Sequence, residues 1–180
     1  MPLDENIICE KREAKEYPNL PKDIYQAELL DITVKDAVGK YAKEGEKNFA
    51  FQFTILQGRD PSQDKDENKD LRGRNVWDNF IPTYLYISSK YGKNNLYKVC
   101  EAFLGRELTR EEEAKGITGA MLNEFIGKQC RISVEPKTKN EKTYDNIVDY
   151  LKANEQLTPL NAEEKEKAKV KKEEKTEDKQ

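Results

Sequence analysis

The sequence predicts a mainly β domain with an α-helical insertion, in which helices interrupt five strands between the third and the fourth. Three observations carry this reading. The run "KNFAFQFTILQG" alternates without a fault, with Phe49, Phe51, Phe53 and Ile55 on one face and Ala50, Gln52 and Thr54 on the other. The run "DIYQAELLDITVKDAV" alternates too, but changes phase midway. The apolar period becomes helical only after Pro82 and returns to two at "KQCRISVEP".

In the first strand, Tyr25, Ala27 and Leu29 share one parity, and Leu30, Ile32 and Val34 the other. Such a switch is what a β-bulge in a long bent strand produces. The second strand is the Phe-rich run. The third lies in "LRGRNVWDNFIP", where strand alternation puts Trp77 on a face with Asn75 and Asn79 and turns Val76 and Phe80 the other way. Pro82 ends it, because proline cannot continue a ladder. "NNLYKVCEAFLG" then spaces Leu96, Val99, Cys100, Phe103 and Leu104 as a helix, with Gly105 placed to end it. "TREE" offers Thr109 and Glu112 as the capping box of a second helix, and "GAMLNEFIG" adds a short third. "KQCRISVEP" and "TYDNIVDYL" supply the last two strands. Three strands, a helical segment and two more strands is the order of a five-stranded OB-type Greek-key barrel with helices between strands 3 and 4.

The chain of 180 residues suits one domain with extensions. Residues 1–21 read as a leader. Residues 22–160 read as the OB-fold nucleic-acid-binding domain. Residues 161–180, nearly all Glu, Lys and Ala, read as a charged tail with too little apolar surface to offset ordering entropy, either disordered or a fraying helix. No apolar run approaches the roughly 20 residues that span a bilayer, and the first residues lack the order of a secretory signal. A cytoplasmic protein without membrane contact is therefore expected. Cys9, Cys100 and Cys130 are odd in number and widely separated, which argues against disulfides and a zinc site and places two of them in the core. The chain has no histidine, so the usual acid–base group and the commonest nitrogen ligand for a metal are missing. Neither enzymatic activity nor a cofactor is expected. A net charge of −3 means that any case for nucleic acid must rest on local placement.

Local placement is suggestive. In an OB barrel, oligonucleotides lie across strands 2 and 3, gripped by the loops joining strands 1 to 2 and 4 to 5. The first loop carries Lys35, Lys40, Lys43 and Lys47 around Tyr41. The other, "PKTKNEKT", carries Lys137, Lys139 and Lys142 and leads into Tyr144. Lysines on flexible loops neutralise phosphates without reading sequence, and a ring among them stacks a base. With both loops at one end of the barrel, the expected site is a single strand held by these lysines and by Arg72 and Arg74, its bases stacked on Trp77, Tyr41 and Tyr144. Each surface residue has a bland alternative as a solvated side chain, and Trp77 as a core residue.

Taken together, "LPKDIYQAELLDITV", "FAFQFTIL", "GRNVWDNF", "LYKVCEAFLG" and "FIGKQCRISVEPKTKNEKTYDNIVDY" resemble the phage and mobile-element proteins with an OB fold that bind single-stranded DNA in replication or recombination. The resemblance covers roughly residues 20 to 152 and rests on element order and short apolar signatures, with Gly127 before strand 4 and "YDNI" in strand 5 its strongest piece. It implies a non-catalytic protein that coats exposed strands, with single-stranded DNA and replication or recombination proteins as partners and self-association left open. The tail ends "TEDKQ", unlike the acidic tip with a terminal hydrophobic residue by which bacterial single-strand binders commonly recruit partners.

Three alternatives compete. "DKDENKD" spaces Asp64, Asp66, Asn68 and Asp70 as in an EF-hand loop, but Lys69 stands where that loop needs glycine and Asn75 where it needs glutamate. Glu135 and Lys137 have the spacing of Mg²⁺-dependent nucleases, but Pro136 lies between them and no clear Asp precedes them. The same barrel could instead serve as a protein-interaction or assembly component without nucleic-acid binding.

Overall fold

Strands β1 (Asp23–Asp36) and β2 (Lys47–Gln57) form the hairpin around which the other elements are arranged. The computed structural model describes residues 19–57 and 71–177. After β2 come β3 (Asn75–Pro82), the short hairpin β4 (Ile87–Ser88) and β5 (Gly92–Lys93), and helices α1 (Asn95–Leu104), α2 (Arg110–Lys115) and α3 (Gly119–Phe125). β6 (Gln129–Lys139), β7 (Lys142–Lys152) and α4 (Ala162–Glu177) complete the order. The main sheet is five-stranded and antiparallel, in the order β3-β2-β1-β6-β7. The β4–β5 hairpin, which the sequence reading does not anticipate, forms its own two-stranded sheet.

The expected bulge in β1 is present. Pairing with β2 slips between Leu29 and Asp31, so Leu29 and Ile32 both turn towards the core although their parities differ. A further slip separates Phe49 from Phe51 in their pairing with β3, and it changes the reading of that strand. Val76, Asp78 and Ile81 point inward, while Phe80, expected to face the core with Val76, is 64% exposed. The cause is local. Asp78 Oδ1 accepts the backbone N–H of Phe80 at 3.1 Å, holding the extra residue out of the ladder.

The inner face joins Tyr25, Ala27, Leu29, Phe51, Phe53, Ile55, Val76, Cys130, Ile132 and Val134 in one core. α1 packs on it through Phe103, whose ring stacks with Phe53 at 6.3 Å and Phe125 at 5.1 Å. Its ends are set as the sequence implies. Asn94 caps the start, and Gly105 ends it at φ 71°, a left-handed conformation that costs glycine little. The Thr109–Glu112 capping box of α2 forms as well. Cys100 and Cys130 are buried free thiols, and burial pushes the Cys100 thiol up to about 12, too high for a nucleophile at neutral pH.

The two edge strands of the sheet meet through side chains. Tyr150 of β7 donates its hydroxyl to Asp78 Oδ2 of β3 at 2.5 Å, inside the core. Nearer the start of both strands, Arg74 Nη2 lies 4.0 Å from Asp145 Oδ2, and Asp145 Oδ1 accepts the N–H of buried Leu20 at 2.8 Å. Burial raises the pKa of Asp78 and raises that of Tyr150 well above its ordinary value, so the pair holds one buried carboxyl and one neutral phenol. Replacing Tyr150 with Phe leaves that carboxyl without its side-chain partner. Urea unfolding of Tyr150→Phe should show a loss of about 1–3 kcal/mol, whereas an unchanged midpoint would mean that this contact does not hold the edges together.

Candidate nucleic-acid interface

The outer face of β1, β2 and β3 is polar, as the alternation requires, but it is not open. Glu28 is 1% exposed, Gln52 2% and Thr54 0%. Their cover is the C-terminal segment, which after β7 runs back over the sheet and is gripped through its main chain. Gln26 Nε2 donates to Glu155 O at 2.7 Å. Gln129 donates from Nε2 to Leu157 O at 2.8 Å and accepts the Leu157 N–H at 2.9 Å. Glu28 Oε1 accepts Leu160 N–H at 3.2 Å, and Asn75 Nδ2 donates to Ala168 O of α4 at 3.1 Å. Leu160 and Ala168 supply the buried apolar contacts. Of the two alternatives expected from residue 161, a disordered tail and a fraying helix, residues 162–177 take the helical one, and the polar face gives its first turns partners that composition alone does not reveal, Arg72 for Glu164 and Asn75 for Ala168 O.

This cover reassigns several expected contacts. Arg72 is held by the C-terminal segment: Nε and Nη2 reach both oxygens of Glu164 at 2.8 and 3.1 Å, and Nη1 and Nη2 donate to the carbonyls of Thr158 and Pro159, each at 3.1 Å. The guanidinium in turn lowers the pKa of Glu164. Arg74 faces Asp145, and Lys47 is ion-paired to Asp36. Trp77 is half-buried. It lies opposite Gln52 and two residues from Asn75, both bonded to Ala168 O, so it stands at the margin of α4 and not on an open polar face.

The two lysine-bearing connections also lie apart. The β1–β2 turn follows the Asp36–Lys47 pair at the C-terminal end of β1, whereas β6 pairs with the opposite end of β1, through Asp23 and Val134, and continues past it to Lys139. The expectation that both connections share one end is corrected by this register. The second is moreover no flexible loop. Lys137, Lys139 and Lys142 belong to paired strands closed by a two-residue turn, Asn140 and Glu141, at φ 52° and 65°. Tyr144, opposite Lys137, is exposed but sits with this distant hairpin.

What the structure does gather is at the β1–β2 end. Tyr41 is 87% exposed, with Lys40 Nζ 5.6 Å from its ring centre, and Lys43 is exposed on the same turn. The end of β3 pairs here, Pro82 with Asn48, and Lys35 Nζ donates to Asn79 Oδ1 at 3.3 Å. Phe80 therefore presents its ring beside this turn, an aromatic that strand alternation had assigned to the core. Tyr84, Tyr86 and Tyr91 are exposed just downstream. The available signal was compositional: residues 80–98 hold four of the nine tyrosines and three lysines but no Asp or Glu, in a chain with 35 acidic residues.

Among the described residues no group of three or more Cys, Asp or Glu side chains is arranged to hold a metal ion. The EF-hand-like Asp64, Asp66, Asn68 and Asp70 lie outside the described residues. Glu135 is paired with Lys22 at 3.1 Å. No described helix is long and apolar enough to cross a membrane. Compared with protein-family models, with curated proteins and with solved structures, the chain finds no match.

Glu28 reports on the cover. Burial raises its pKa above the ordinary 4.5, opposed by the Leu160 N–H and by the charges of Lys165 and Arg72. Protonated Glu28 therefore stabilises the fold below pH 4.5, and that contribution is lost as pH rises through the raised value. Glu28→Gln keeps an acceptor for Leu160 and removes the charge. Its stability should exceed the wild type's at pH 7, by a margin that shrinks towards pH 4.5. A margin independent of pH in paired urea titrations would contradict the burial of Glu28 under the segment.

Proposed function

We propose that the protein binds single-stranded nucleic acid with little sequence preference, coating exposed strands as replication and recombination require, and that it performs no catalysis. The observation that carries this reading is the β1–β2 end of the sheet, where exposed Tyr41 and Phe80 stand with Lys35, Lys40 and Lys43. Flat rings among lysines suit a ligand with a π-face at every base and a charge at every link. The strand order β3-β2-β1-β6-β7, with β3 and β7 joined by Asp78–Tyr150, supports reading the sheet as an OB-type barrel. In that fold ligands commonly cross strands 2 and 3. Here the segment over Gln52 and Thr54 leaves the loop end as the accessible part of that surface.

Anisotropy titrations with a labelled thymine oligomer test the reading. Affinity should fall steeply with salt, and removing one phosphate contact should reduce the magnitude of the log–log slope by about 0.7. Lys40→Ala and Lys43→Ala should each show that reduction, and Lys139→Ala, at the far hairpin, should not. Binding that is absent or indifferent to salt would instead favour the same fold with a protein ligand.

A further inference from the structure

Residues 83–93 form a projecting aromatic segment that the reading above does not use. Tyr86 is 59% exposed, Tyr91 77%, Tyr84 53% and Ile87 55%. Exposed apolar groups in such a cluster mark contact surfaces. Tyr25 and Tyr150 are buried with their hydroxyls bonded to Pro21 O and Asp78, whereas these three rings, like Tyr41, are left outside.

Their mounting is rigid. Ser88 Oγ accepts the N–H groups of Lys90 and Tyr91, both at 3.2 Å, and Gly92 turns the chain at φ 72°. Asn94 then ties the segment to the domain: its N–H donates to Tyr86 O at 2.9 Å, its amide nitrogen donates to Tyr84 O at 2.8 Å, and its amide oxygen caps α1. Rings on such a base give up little conformational entropy when a partner stacks on them. At the other end, Thr83 Oγ1 donates to Lys47 O at 3.4 Å, so the segment continues from Phe80 alongside the lysine-bearing turn.

We infer that Tyr84, Tyr86 and Tyr91 are a base-stacking platform that extends the proposed single-strand site from Phe80 along the β4–β5 hairpin, with Lys90 meeting the phosphates. Charge selects this occupant. The stretch has no acidic residue of its own. Lys93 and Lys98 are taken up by Glu101, Glu107 and Asp149, but Lys90 has no carboxylate partner among the described residues and lies 5.1 Å from the Tyr91 ring centre. Stacking carries no sequence preference.

This inference rests on the proposed function, and one titration series separates the two. Against the same thymine oligomer, Tyr86→Ala and Tyr91→Ala should each weaken binding on the order of 5- to 100-fold, while Tyr86→Phe and Tyr91→Phe, which keep the ring, should stay near wild type. Both positions are exposed, and unchanged circular dichroism and urea midpoints would confirm that the variants fold. Wild-type binding with no loss in the alanine variants overturns the platform alone. No wild-type binding overturns the proposed function and the platform together.

Discussion

Burial of β2 on both faces is the constraint from which the rest follows. Every residue from Ala50 to Leu56 is buried, the inward ones in the aromatic core, while on the outward side Gln52 is bonded to Ala168 O of the C-terminal segment. A strand covered on both sides cannot offer a polar face to a ligand, whatever its alternation suggests. On the proposed function, contact with the nucleic-acid strand falls where the cover stops, at the β1–β2 turn and the end of β3, where Tyr41 and Phe80 are exposed.

Hydrogen bonds to its main chain hold much of the cover in place. Gln26, Glu28, Asn75 and Gln129 engage main-chain groups of the segment and Arg72 closes over Glu164, while Leu160 and Ala168 supply its buried apolar side chains. The cost appears in what remains unsatisfied: Gln52 Oε1 and Glu28 Oε2 have no hydrogen-bond partner among the described residues, although Lys165 Nζ stands 3.8 Å from Glu28. Buried polar atoms left in this way are costly, and they explain why Glu28 holds its proton more tightly than an exposed glutamate would.

Much of the fold was legible because it is written in local chemistry. The bulge at Leu30, the alternation of β2, the Gly105 stop and the Thr109–Glu112 box each need only residues close in sequence. The misreadings have two sources, a local side-chain contact in β3 and partners that lie far along the chain. Phe80 turned outward because Asp78 holds the bulge beside it, a contact that parity cannot anticipate. The docking of the tail was not legible because its partners Arg72, Asn75 and Gln52 lie 92, 93 and 116 residues earlier. Arg72 looked like a phosphate contact because Glu164 could not be seen beside it. Of the expected site, Tyr41, Lys40 and Lys43 stand exposed together, whereas Trp77 borders α4 and Tyr144 belongs to the far hairpin. The tyrosine-rich, acid-free stretch was visible in the sequence but carried no strand or helix period to draw attention to it.

Hydrogen–deuterium exchange with and without saturating thymine oligomer tests the central claim most directly, since it reads every segment at once. Protection should appear at residues 37–47 and 80–93, with exchange at 155–169 unchanged because that cover stays in place. Faster exchange at 155–169 together with new protection in β2 would show that the ligand displaces the segment and lies on the face beneath it, contrary to this account.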